Sequence, residues 1–154
     1  MAAEWRYIEP GQSALKRRHI PMRDDGRFTA PAGSIERARQ DSWTQFSVDD
    51  LESPVWFNAK NTFVLPEELR SPVAQAACKY DFDRAIGHFA ERLGANDYVT
   101  GAEFSVPDLL IGNCLNRAEN SAGWPIPDGP VQTYINRIRA RPAYQRATAA
   151  RDKF

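Results

Sequence analysis

From Ser34 onward, hydrophobic residues recur at helical rather than strand spacing. Ile35, Ala38, Trp43, Phe46, Leu51, Val55 and Trp56 fall along an imperfect helical face. Ser34 suits the N-cap of that helix, and Glu36 in the first turn suits the positive end of its dipole. Pro54 predicts a kink or break near Ser53, because a proline inside a helix removes a donor and crowds the preceding turn. A second helical stretch is predicted from about Pro66 to Leu93. Its apolar face would be Val73, Ala77, Tyr80, Phe82, Ala85, Ile86, Phe89, Ala90 and Leu93, with Gly94 as the stop. Pro72, following Ser71, marks either a kink or a fresh start.

The strongest local signal is Phe104-Ser105-Val106-Pro107-Asp108-Leu109. Ser105 can accept from the Asp108 amide while the Asp108 carboxylate reaches back to the Ser105 amide, a capping box with Asp in place of Glu. Phe104 and Leu109 stand at the two positions of a hydrophobic staple. Beyond them Leu109, Leu110, Ile111, Cys114, Leu115 and Ala118 are apolar on most faces, which predicts the buried centre of a bundle. Val131, Tyr134, Ile135 and Ile138 share one side of a helix from Pro130 to Ala140. Pro142 opens a last short helix through Tyr144, Ala147 and Ala150. No run of alternating β-branched residues occurs. The expected fold is all-α, a bundle of five or so helices joined by short loops.

Residues 1–33 read differently. Pro10, Gly11, Pro21, Gly26, Pro31 and Gly33 interrupt them, and no period is sustained. They are expected to form an irregular arm ahead of a helical domain over 34–154. Lys16-Arg17-Arg18 is short and soon followed by Asp24-Asp25, the pattern of a solvated charge run. A chain of 154 residues fits one domain and can bury a core without metal or disulfide. Twenty basic and twenty acidic side chains cancel, which argues against a nucleic-acid binder. No apolar run of about 18 residues predicts a membrane span. No apolar segment follows a basic start, so no secretory signal is read and a cytoplasmic location is expected. Cys78 and Cys114 form no CxxC pair and are expected as buried or semi-buried thiols in a reducing compartment. His19 and His88 have no metal-site spacing, so no metal is expected.

Candidate chemistry is sparse. The phosphate-cradle, nucleophile-elbow and metallohydrolase motifs are all missing. Asp49 and Asp50 are consecutive, so on a helix their side chains point about 100° apart, which suits a solvated face better than a paired-carboxylate site. Trp43, Phe46 and Trp56 could be core or an aromatic wall for an apolar ligand. Arg117, late in an apolar helix, could project into a cleft or reach solvent.

Taken in order, these residues resemble the C-terminal helical domain of the glutathione S-transferase superfamily, from about Ala30 to Arg151. The resemblance is carried by Ser34-Ile35-Glu36-Arg37-Ala38-Arg39, by Trp43, and by Leu65-Pro66-Glu67-Glu68-Leu69-Arg70. It is carried most specifically by Tyr98 to Asp108, with Gly101, Phe104, Ser105 and Asp108 at the family's spacing, and then by Tyr134, Arg137 and Arg141-Pro142-Ala143. One departure is Pro107, where the family usually has Ala. At the second helical position proline loses only an N–H that would be unpaired anyway.

The resemblance implies a partner domain of thioredoxin type that holds glutathione as co-substrate and lowers its thiol pKa for attack on an apolar electrophile. The residues before the resemblance are too few for that domain. Gln12-Ser13-Ala14-Leu15 only faintly matches the family's glutathione-binding turn. Activity of this chain alone is therefore expected to be weak or absent, and no residue is assigned a catalytic role. By position, Gln45, Asp49, Glu52 and Trp56 on the first helix would face the substrate cleft or a partner subunit. Asp49 or Asp50 matches an acidic residue that in some classes reaches a glutathione held by the other subunit. Arg117 stands where some classes place an aromatic cleft residue, while Ser105 and Asp108 carry over as folding residues. A homodimer, an apolar small-molecule ligand and a detoxifying role are implied. The alternative is a non-catalytic dimerisation or apolar-ligand-binding module built on the same bundle, since an apolar face without its cover usually finds a partner.

Overall fold

The computed structural model describes Gly26 and residues 28–151. The expectations for Lys16-Arg17-Arg18, Gln12-Ser13-Ala14-Leu15, His19 and most of the arm lie outside the described residues.

Helix α1 spans Ile35–Phe46, and its cap is the expected one: Ser34 Oγ accepts the Arg37 N–H at 3.1 Å. The chain does not break at Pro54. A wide π-type turn at Ser47–Glu52 leads into α2, Ser53–Ala59, and a second wide turn at Lys60–Val64 follows. Together they make one unbroken rod that ends where Leu65 turns extended. The Ser53 N–H bonds back five residues to the Val48 carbonyl, which relaxes the turn that the Pro54 ring would otherwise crowd. Trp43, Phe46, Leu51 and Val55 are buried as predicted, but Ile35 is exposed and Trp56 is 48% exposed. The wide turn holds more than 3.6 residues, so the apolar stripe read at α-helical spacing drifts off the core side beyond it.

Helix α3 starts at Pro72 rather than Pro66 and runs through Pro72–Leu93; Glu67–Leu69 is a separate 3-10 turn. Ser71 is extended, as a residue before proline prefers, and its Oγ accepts the Ala74 N–H at 3.2 Å. Cys78, Phe82, Ala85, Ile86, Phe89 and Leu93 line its buried face. The predicted face merged two stripes: Val73 is 80% and Tyr80 68% exposed, and Ala77 is exposed beside them. Gly94, at φ +56°, stops the helix as expected.

Helices α4 (Val106–Ser121), α5 (Pro130–Ala140) and α6 (Pro142–Arg151) follow. Helix α4 is the buried centre: Leu110, Ile111, Cys114, Leu115 and Ala118 are shut away from solvent. Against it α5 packs Val131, Tyr134, Ile135 and Ile138. Their approach is close at Gly112, where a Cβ would sit 3.1 Å from Ile138 Cγ2. Phe89 of α3 meets the rings of Trp43, Phe46 and Tyr134 at 5.8, 6.4 and 5.1 Å, joining three helices in one aromatic cluster. The rod and α3 run antiparallel. Arg92 bonds Ser42 at one end, and Ser71 and Gln75 bond Asn61 at the other.

The staple is not formed as predicted. Leu109 is 48% exposed, and Phe104 instead meets Phe28 and Tyr98 edge-on, each at 5.7 Å. The segment just ahead of Gly33 is tied to the bundle: Val106 donates to the Phe28 carbonyl and Gln40 accepts from Ala30. Among the described residues there is no strand, only an isolated bridge between Tyr98 and Gly101, and no helix long and apolar enough to cross a membrane.

Candidate functional site

Two of the places where the described residues gather polar side chains bear on the expected site, and they differ in kind. The first is the start of α4. Asp108 is 0% exposed. Its Oδ2 accepts the Ser105 N–H and the Ser105 hydroxyl, each at 2.8 Å. Its Oδ1 accepts the Val99 N–H at 2.9 Å and the Tyr134 hydroxyl at 3.0 Å. Four donors thus surround one carboxylate, joining the 98–101 turn, the helix cap and α5. Burial pushes the Asp108 carboxyl above its ordinary value, and the four donors only partly pull it back. The Tyr134 phenol is held well above its ordinary value, by burial first and by the Asp108 charge second. No solvent reaches this carboxylate, so its work is to hold the fold together, as the sequence reading expected for Ser105 and Asp108.

The second place is the rod. Arg117 of α4 donates to Glu52 at 3.1 Å, and both side chains are partly buried. Gln45 donates to Asp49, one turn on, and both are exposed. Glu52 and Arg117 are therefore brought together, whereas Asp49 lies round the rod, along a groove toward α3. Trp56 presents nearly half its surface to solvent further down the rod.

That groove, of about 410 Å³, runs between the rod and α3. Asp49, Asp50 and Phe57 line it from the rod, and Ala77, Asp81, Arg84 and His88 from α3. The sequence reading missed Phe57, Arg84 and His88. The signal was the second stripe on α3, in which Val73, Ala77, Tyr80, Arg84 and His88 recur at helical spacing. Cys78 lies at the groove floor with its thiol pushed up, first by burial and then by Asp81. Cys114 is buried and donates weakly to the Ser47 carbonyl at 3.6 Å. Cys78 is thus a protonated packing group rather than a nucleophile.

No protein-family model matches the chain, and no curated relative was found for it. Solved structures do resemble it. A glutathione transferase from Methylococcus capsulatus strain Bath superposes with a TM-score of 0.72 at 21% identity, over 92% of this chain and 67% of that one. Ure2p5 from Phanerochaete chrysosporium, cocrystallised with 1-(S-glutathionyl)-2,4-dinitrobenzene, gives 0.76 at 13% identity, over 91% and 67%. The theta class glutathione S-transferase from Xanthomonas axonopodis pv. citri, with glutathione bound, gives 0.70 at 22% identity, over 86% and 70%. The share of the solved chain that is spanned falls as low as 62% in the relative from Actinobacillus pleuropneumoniae. At these identities the likeness establishes the fold. The described residues have the fold of the helical C-terminal domain of glutathione transferases.

Proposed function

We propose that this helical region serves a glutathione transferase, as the wall against which an apolar electrophile is held while the glutathione thiolate attacks it. The observation that carries this reading is the superposition on glutathione transferases, one with glutathione bound, and on Ure2p5 cocrystallised with a glutathionyl compound. In it Trp56 supplies exposed aromatic surface and Arg117, oriented by Glu52, supplies a cation. Gln45 and Asp49 lie on the same rod and face the cleft or a second subunit. Glutathione is the co-substrate, and the group that lowers its thiol pKa is not assigned to any described residue. A homodimer, a cytoplasmic location and a detoxifying role go with this reading.

A second reading is favoured by a separate observation. Val73, Tyr80 and Phe57 are large, apolar and exposed on one side of the bundle, which suits a module whose work is association rather than conjugation. The experiment is direct. Millimolar glutathione should raise the melting temperature, since a ligand specific to the native state must stabilise it. Retention on immobilised glutathione with turnover of an aryl halide supports the transferase. No melting shift, no retention and no turnover, alongside a stable dimer by light scattering, would favour the association module.

A further inference from the structure

A separate hollow of about 240 Å³ lies where α4, α5 and α6 meet. Leu109, Gly112 and Asn113 wall it from α4, Ile138 from α5, and Tyr144 and Ala147 from α6, so most of its surface is apolar. Leu109 stands half exposed in it. Asn116 and Thr148 complete the lining, and the two asparagines differ. Asn116 donates to the Gly112 carbonyl and accepts two bonds from Arg139. Asn113 Nδ2 is shut away from solvent and donates to nothing among the described residues. A buried donor without an acceptor is costly, so the hollow is short of a carbonyl as well as of apolar cover.

Two contacts fix where the chain enters the bundle. The Val106 N–H, in the first turn of α4, donates to the Phe28 carbonyl at 3.1 Å. The Phe28 ring meets Phe104 edge-on, and the Arg141 guanidinium, just ahead of α6, stacks over the same Phe104 ring at 3.6 Å. Phe28 thus stands where α4 and α6 both begin, and the hollow lies one to three turns further along those two helices. From Val106 to Asn113 the helix rises roughly 10 Å. Back from Phe28, Met22 is six residues away and Ile20 eight. At about 3.3 Å per extended residue they reach roughly 20 and 26 Å, which brings the hollow well within range.

Ile20-Pro21-Met22 is the apolar stretch nearest to that entry. Pro21 has no N–H and favours an extended conformation at Ile20. Side chains two apart on an extended segment face the same way, so Ile20 and Met22 can enter one hollow together. Such a segment leaves backbone carbonyls unpaired, and a carbonyl is what Asn113 lacks. At about 240 Å³ the hollow is smaller than the roughly 300–1,000 Å³ taken by drug-sized ligands, and it suits two side chains better. We propose that Ile20 and Met22 of the chain's own arm seat in this hollow, with the Asn113 amide donating to a backbone carbonyl of the same stretch. The arm then covers Leu109 and ties α6 to α4. This seat does not depend on whether the protein conjugates glutathione.

The test cross-links the full chain. Met22→Cys is paired with Ala147→Cys in the hollow or, as a reference, with Ala102→Cys, exposed in a cavity that Phe28 borders. The native thiols of Cys78 and Cys114 are buried and do not compete. An unseated arm tethered at Phe28 finds the two partners at similar rates, since closure depends only weakly on loop length. Disulfide formation with diamide is followed by mass, and helicity by circular dichroism. Position 22 is expected to close with 147 at least about tenfold faster than with 102, at a rate independent of protein concentration. A smaller ratio overturns the seat, and a disulfide joining two chains overturns the same-chain occupant. Should a cysteine form lose its helicity, a double-mutant cycle replaces it, with Ile20→Ala and Met22→Ala together set against Leu109→Ala. Each side should lower the melting temperature by at least about 3 °C, and the combined loss should fall well short of the sum. Additive losses, or an arm variant that melts like the wild type, overturn the seat.

Discussion

Asp108 and Asp50 are the same side chain used in opposite ways. Asp108 is surrounded by four donors from three segments and has no route to solvent, so it is committed to the subunit's own fold. Asp50 stands exposed in a groove with Arg84 and His88 nearby and takes neither as an ion-pair partner. A buried carboxylate is tolerated only when its hydrogen bonds are complete. A carboxylate in a wet groove has no such requirement, because water satisfies it. The difference teaches where each substitution should be felt: as lost stability at the start of α4, and hardly at all along the groove.

The largest expected effect is Asp108→Ala. It strands donors from Val99, Ser105 and Tyr134 in a buried site and should cost about 3–5 kcal/mol in urea unfolding. A loss below about 1 kcal/mol would break the contrast with Asp50, whose replacement by Ala should leave subunit stability nearly unchanged. Next is Gly112→Val, whose larger side chain meets Ile138 where even a Cβ is tight. About 2 kcal/mol should be lost, and trimming Ile138 to Val in the same chain should restore part of it. Tyr134→Phe removes one donor from Asp108 and keeps the ring, for about 1 kcal/mol.

The pH dependence is smaller and has a definite sign. Burial raises the native Asp108 carboxyl, so the native state binds that proton more tightly than the unfolded chain does. Its contribution is fully present below the unfolded pKa of about 3.9 and is lost as pH rises through the raised native value. The difference in unfolding free energy between wild type and Asp108→Asn should therefore shrink as pH rises across that window. A difference that grows with pH would show that the four donors outweigh burial. Smallest of all is Arg117→Met. The pair with Glu52 is partly exposed, so less than about 1 kcal/mol should be lost, measured by thermal denaturation.

How much of this could be read from the residues depended on how local the physics is. Ser105, Asp108 and Pro130 mark helix starts through interactions within a few positions, and α4 and α5 begin where those residues put them. The core stripe of α4 was legible because it is apolar on most faces and leaves little choice of side. Helix α3 was harder. Its apolar residues form two stripes, and only the packing of Phe89 among Trp43, Phe46 and Tyr134 decides which is core. The Asp108 carboxylate was read as a helix cap, but its bonds to Val99 and Tyr134 reach 9 and 26 residues along the chain. The Glu52–Arg117 pair spans 65 residues. No spacing rule anticipates contacts that exist only once α4 lies beside the rod.

The wide turn ahead of Pro54 carries a consequence of its own. Threading an additional residue into one turn of a helix acts like slipping a gear by one tooth: all that comes after is rotated by about 100° without any change in direction. Removing a single residue between Ser47 and Glu52 would re-engage the ordinary ratio. Trp56 and Phe57 would then swing to new bearings while the shaft itself stayed straight, so one deletion could re-aim both aromatic faces at once.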